Sequence, residues 1–245
     1  MPPARAAAQN RGMYTLHIGN KNYSSWSLRP WTLMTELGIA FDERLHVFGP
    51  GFAGEMEGQS PTRRVPALHD GKRVVWDSLA IVEYLAERHA GVWPADADAR
   101  AWARSAAAEM HSAFQALRNA CGMNCGIRVK LNGMPEPLKK DIARIAELWA
   151  EGLARFGGPF LAGREFGAVD AFYCPVAFRV QSYGLELPEP AAAYARRLLA
   201  APSMKRWYEA ALAEPWRDPE YEAEIAQVGK VVQDLRAPAK ATEPA

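Results

Sequence analysis

The distribution of apolar and polar positions divides the chain into two halves with different periods. From Tyr14 to Ile18 the run YTLHI alternates as a short strand does. A polar segment, Gly19 to Ser25, leads into apolar residues at helical spacing from Trp26 to Leu37, and Gly38 follows where a helix C-cap would lie. FDERLHVF, Phe41 to Phe48, reads as a second strand, and a Gly/Pro-rich loop runs from Gly49 to Gly58. PALHD and RVVW, joined through Asp70-Gly71, predict an antiparallel hairpin with a tight turn. Asp77 and Ser78 then introduce a helix, LAIVEYLAERH, with Leu79, Val82, Leu85 and Ala86 at helical spacing. The predicted order is strand, helix, strand, loop, strand, strand, helix, which is compatible with a thioredoxin-like α/β sheet.

After Trp93-Pro94 the period changes. Asp96 to Ala120, Leu138 to Phe156, Val169 to Tyr183, Ala191 to Ala200 and Ser203 to Glu214 all carry apolar residues three and four apart. Pro or Gly separates most of these segments, and none of this half reads as a strand. The expected organisation is therefore an α/β domain over residues 13–93 and an all-helical domain over 96–230. A disordered extension, 1–12, and a loose Pro/Ala tail, 231–245, are expected to flank them.

Composition narrows the function classes. The 245 residues, 49% of them hydrophobic and 23% charged, suit two modest domains sharing an extensive core. Net charge is +1 with acids and bases interspersed, so no electrostatic footprint for nucleic acid or an anionic membrane is visible. Cys121, Cys125 and Cys174 form no metal-ligand pattern and suit reduced thiols in a reducing compartment. No stretch approaches the roughly 18 apolar residues of a membrane span, and the first dozen residues lack a secretory apolar run. A cytoplasmic protein without membrane or metal is the expectation.

Three segments carry a family resemblance: Tyr23-Ser24-Ser25-Trp26-Ser27-Leu28-Arg29-Pro30-Trp31, Arg64-Val65-Pro66-Ala67-Leu68, and Asp77-Ser78-Leu79-Ala80-Ile81-Val82-Glu83-Tyr84-Leu85. In this order and spacing they resemble the soluble glutathione S-transferases, with the bacterial serine classes, zeta and theta, the nearest. The resemblance runs from about Met13 to Pro215. It implies a thioredoxin-like glutathione-binding domain followed by a helical domain, glutathione as co-substrate, and a homodimer.

By this resemblance Val65, ahead of a cis Pro66, would hold the cysteinyl part of glutathione through its backbone. Asp77 and Ser78 would bind the γ-glutamyl end, where a helix N-terminus suits a carboxylate and an acidic side chain suits the ammonium. Arg63 or Arg64 could pair with the glycine carboxylate. The reaction needs the thiolate, and a free thiol titrates near 8.5 or above, so the protein must stabilise the anion. Ser24 aligns with the activating serine; Ser25, one residue on, and Tyr23 remain alternatives. No cysteine stands in this motif, which argues against a mixed-disulfide mechanism.

In the helical half Gly167 and Asp170 occupy a helix N-capping arrangement, so Asp170 reads as structural. His111, Phe114, Gln115 and Arg118 fall on one side of a predicted helix and are the candidates for a second-substrate pocket. His111, Arg118 or Arg128 could recognise a carboxylate. The implied activity is transfer of glutathione to a small electrophile. The alternatives are a zeta-like cis-trans isomerase of a maleyl-type diacid and a non-catalytic binding protein on the same fold.

Overall fold

The computed structural model describes residues 14–239; the N-terminal extension expected over 1–12 lies outside them. The first half contains β1 (Tyr14–Gly19), α1 (Ser25–Glu36), β2 (Phe41–His46), α2 (Phe52–Glu55), β3 (Ala67–Asp70), β4 (Arg73–Trp76) and α3 (Ser78–Ala86). Its sheet has the order β2-β1-β3-β4, with β1 parallel to β2 and β3 antiparallel to both its neighbours. This is the thioredoxin-like arrangement expected. The hairpin turn is displaced by one residue. Asp70 pairs with Arg73, so Gly71 and Lys72 form the loop, and Gly71 supplies the positive φ of 58°. α1 and α3 pack together and on the strands, burying Leu28, Leu33, Ile81 and Leu85 completely.

The second half contains α4 (Ala97–Ser112), α5 (Gln115–Ala120), β5 (Ile127–Leu131), α6 (Glu136–Phe156), α7 (Ala168–Tyr183), α8 (Ala191–Ala200), α9 (Pro202–Ala213), α10 (Pro219–Val228) and β6 (Gly229–Asp234). α7 is buried along almost its whole length and packs against both α1 and α4, forming the seam between the halves. Asp170 accepts from Gly167 N–H at 2.9 Å and Leu161 N–H at 3.0 Å, and Tyr194 Oη donates to it at 2.6 Å. Among the described residues no helix is long and apolar enough to cross a membrane.

Three expectations are corrected here. The segment 96–120 is not one helix: it breaks at Ala113 and Phe114, where Phe114 takes a left-handed φ of 61°. Long-range groups pay the end effects. Arg118 donates to the Met110 and Ala113 carbonyls that end α4, and Asp141 accepts from Leu117 N–H at 2.9 Å. The second half is also not wholly helical, and the segment 231–234 is not loose. β5 and β6 form an antiparallel ribbon, and Arg236 just beyond it is nearly buried. Arg236 is bidentate to Glu222 at 2.6 and 3.0 Å, bonds Asp234 at 2.7 Å, and donates to Tyr23 Oη at 3.1 Å. Its stem lies over Gly126, where a Cβ would collide with it. Arg236→Ala is expected to open this ribbon: amides of Ile127–Leu131 should exchange at least about tenfold faster, the worth of one buried charge-assisted bond. Unchanged exchange there would show that Arg236 does not hold the ribbon.

Candidate active site

The loop between β1 and α1 is fixed from both halves. Tyr23 and Ser24 N–H groups donate to Asn20 O at 3.1 and 2.8 Å, and Asn20 Oδ1 accepts from Phe48 N–H at 2.7 Å. Glu214, from beyond α9, accepts from Lys21 and Asn22 N–H at 2.7 and 3.2 Å, while Trp207 Nε1 donates to Lys21 O at 2.8 Å. Moving the loop would leave these buried groups unpaired, so Ser24 is held rigidly at the N-cap position of α1. Its hydroxyl lies 2.7 Å from Ser27 Oγ, which also accepts from Gly19 N–H at 3.2 Å. Ser27 was not among the residues singled out from sequence; its placement one helical turn after Ser24 is the signal that could have found it.

A cavity of about 430 Å³ opens beside this loop. Ser24, Ser25, Arg64 and Val65 line it from the first half; Gln115, Arg118, Arg179 and Tyr221 line it from the second. The Val65-Pro66 peptide bond is cis, as the family pattern implies. Arg63 turns away to an exposed ion pair with Glu57 at 3.0 Å, leaving Arg64 at the cavity. The ring of Tyr23 reaches the wall, but its hydroxyl donates to Glu222 at 2.7 Å and accepts from Arg236. Burial and the Glu222 carboxylate push the Tyr23 pKa well above the phenolic range, so this group is committed to the α10 contact.

Asp77 and Ser78 begin α3. Asp77 adopts a φ of 73° and caps the helix, its Oδ1 accepting from Leu79 and Ala80 N–H at 2.8 and 3.4 Å. Ser78 is fully buried and accepts from Arg29 Nη1 at 3.3 Å. Arg29, unremarked in the sequence apart from its place in the first motif, joins this helix end to the cavity wall. Its guanidinium lies over Trp26 at 4.1 Å and Phe172 at 4.8 Å.

Two of the four second-pocket candidates, Gln115 and Arg118, line the cavity; His111 and Phe114 do not. The helix break at residues 113–114 removes the single face that would have carried all four, and Phe114 goes into the core with 5% exposure. His111 instead packs edge-on against Trp26 and stands 3.4 Å from Asp77 Oδ2. Burial lowers its pKa, with Arg29 and Arg118 acting in the same sense and Asp77 against. Arg128 bonds the Cys125 and Ile127 carbonyls and Tyr208 Oη, away from the cavity. All three cysteines are buried and free; burial pushes Cys121 up to about 12 and the other two in the same direction.

The fold is a thioredoxin-like domain followed by a helical domain, with the cavity lined by residues of both. Residues 23–88 match the family model described as glutathione S-transferase, N-terminal domain. Glutathione S-transferase 1 of Dianthus caryophyllus is 30% identical over 138 residues, which is 53% of this chain and 61% of that protein's length. A theta class glutathione S-transferase from Xanthomonas axonopodis pv. citri, solved with glutathione bound, superposes with a TM-score of 0.58 at 26% identity, over 80% of this chain and 96% of that one. A glutathione transferase homolog from Burkholderia gl BGR1, also with bound glutathione, gives a TM-score of 0.62 at 23% identity, over 81% and 98%. Over residues 23–88 in sequence, and over most of its length in fold, the chain is similar to glutathione S-transferases.

Proposed function

We propose that the chain binds glutathione and presents its thiolate to a small electrophile, with Ser24 as the donor to sulfur. The observation that carries this reading is the shared cavity, where Ser24 and the cis-bonded Val65 face side chains of the helical half. A hydroxyl has one proton and two acceptor sites. Ser24 Oγ donates to Ser27 Oγ at 2.7 Å, and rotation of the Ser24 hydroxyl would turn that proton to the sulfur when glutathione binds. Ser25 lines the same wall and is the alternative donor. Val65 would pair with the cysteinyl backbone, Arg64 with the glycine carboxylate, and Asp77 and Ser78 with the γ-glutamyl end. The products of such a reaction are the thioether and a leaving group, or an isomerised diacid if the adduct expels the thiolate again. The serine pair permits the latter, zeta-like route. Assembly as a homodimer and a cytoplasmic location belong to the same reading.

The test is the ultraviolet titration of bound glutathione. In the native protein thiolate absorbance should develop well below the free thiol's range, and Ser24→Ala should raise the apparent pKa by about 1–2 units, the loss of one charge-assisted hydrogen bond. An unshifted mutant titration with glutathione still bound would transfer the role to Ser25. Absence of binding in the native protein would sink the transferase reading.

A further inference from the structure

Three histidines from three adjacent strands stack on one face of the sheet. Leu16 pairs with Leu68 and Ile18 with Leu45, so His17, His69 and His46, each one position from these, share the opposite face. The ring of His17 packs against His46, with centroids 5.1 Å apart, and against His69 at 4.4 Å. Its Nδ1 stands 2.9 Å from His46 Nε2, a contact that holds one proton between the two rings. The other two rings reach the segment that carries α2. His69 Nε2 donates to Gln59 O at 2.8 Å, and His46 Nδ1 is 3.5 Å from the Glu55 carboxylate. His17 is 5% exposed, and Met56 of the segment is buried completely. The groups facing His17 are His46 and Arg44 from β2 and His69 from β3, all of them basic. From α2, Glu55 meets the far side of His46 instead. Burial first, then these neighbours, lower the His17 pKa from 6.5 to about 4, so the ring is neutral at pH 7.

We propose that this stack is an acid-sensitive latch on segment 49–62: lifting the segment frees His17 to take a proton, so mild acid favours the lifted form and loosens the wall that Phe52 gives the cavity. The inference stands on the stack and not on the transferase reading. The segment is built to move as a unit. Its amides bond within it, Glu55 N–H to Gly51 O at 3.1 Å, Met56 N–H to Phe52 O at 3.0 Å and Ser60 N–H to Met56 O at 3.1 Å. Phe48 N–H stays with Asn20 Oδ1, and Gly49, at a φ of 147°, follows as the hinge. The held ring has a lower pKa than the released one, so the latch is at full strength above about 6.5 and weakens as pH falls toward 4. With 6.5 for the released ring and about 4 for the held one, the ratio of lifted to seated forms should rise about 20-fold between pH 7 and pH 5.

The test is amide hydrogen exchange at Glu55, Met56 and Ser60 of the full chain between pH 5 and pH 7, corrected for the intrinsic pH dependence of the chemistry. In the native protein these amides should exchange faster than those of α7 throughout. Their corrected rates should rise about 20-fold from pH 7 to pH 5. His17→Gln can still bond His46 but has no charge to gain, so in that variant the rise should vanish. Should the variant fail to fold, the ring signals of His17 in the native protein give a second reading. A titration midpoint below about 5 is expected, and an ordinary midpoint near 6.5 would overturn the latch. So would corrected rates that stay flat in the native protein, or a rise that persists in His17→Gln. Protection equal to that of α7 would overturn it as well, because the segment would then leave only with the whole fold.

Discussion

Asp170→Ala is expected to lower the stability of the chain by about 3–9 kcal/mol, since each buried donor left without an acceptor costs about 1–3 kcal/mol and three lose theirs at once. The three donors come from different places: Gly167 N–H at the start of α7, Leu161 N–H in the loop before it, and Tyr194 Oη on α8. Gly167 brings no side-chain cap of its own, so Asp170 carries this helix start without a reciprocal bond. α7 is also the element on which α1, α4 and α8 pack, so loosening its first turn weakens the seam rather than one helix end. Equilibrium denaturation with an unchanged m-value is the measurement, and a loss under about 1 kcal/mol would contradict the argument. Asp170→Asn keeps the shape and should lose less. Burial pushes the Asp170 carboxyl from its ordinary 3.8 up to about 6, against the pull of its donors. The folded chain therefore holds that proton more tightly than the unfolded one, and the native protein's advantage over Asp170→Asn should shrink as pH rises through that window.

What could be read from the sequence was what local pattern encodes. The β1–α1–β2 order, the β3–β4 hairpin and the start of α3 at Asp77 follow from alternation, turn residues and a cap, all within a few positions of one another. The ribbon was legible too and was passed over. In GIRVKL the apolar Ile127, Val129 and Leu131 alternate with Arg128 and Lys130, a period of two inside a half otherwise read at helical spacing. Other features had no local signal. The break at Ala113–Phe114 involves neither Gly nor Pro and is sustained by Arg118 and Asp141, one of them on a different helix. Arg179 stands in a helix that is buried on nearly all sides, so its period marks no face and nothing singles out the side chain that meets the cavity. Tyr221 reaches the wall from α10, almost two hundred positions after Ser24, where it stacks at 5.0 Å on the ring of Tyr23. Motifs thus located the wall that Ser24, Arg64 and Val65 give the cavity, while the wall from the helical half depends on packing between distant elements.

The same distinction sets the expectation for Arg29, whose replacement by Met should raise stability and weaken glutathione binding together. Arg29 has no exposed surface, and two of its nitrogens, Nε and Nη2, are buried without partners. Burial and the charges of Arg118 and Arg179 oppose its ionised form, and Asp77 alone among the nearby acids favours it. A guanidinium stays protonated in proteins, so the fold bears this unfavourable charge instead of shedding it. Met has a similar reach, fits between the Trp26 and Phe172 rings that now flank the guanidinium, and leaves no donor unpaired. Exchange of a poorly paired buried charge for a well-packed apolar side chain is commonly neutral to about 4 kcal/mol stabilising, and a gain of about 1–3 kcal/mol is expected here. Against that, Ser78 Oγ loses the 3.3 Å donor that orients it, and the start of α3 loses a nearby positive charge. Glutathione affinity should fall by about 10- to 100-fold, the worth of charge-assisted contacts to the γ-glutamyl carboxylate. Calorimetric titration with glutathione and chemical denaturation of the same preparation test both halves. A variant that is less stable yet binds glutathione normally would make Arg29 a packing residue. A variant that is more stable and binds poorly would show that the fold tolerates a strained charge because the ligand needs it.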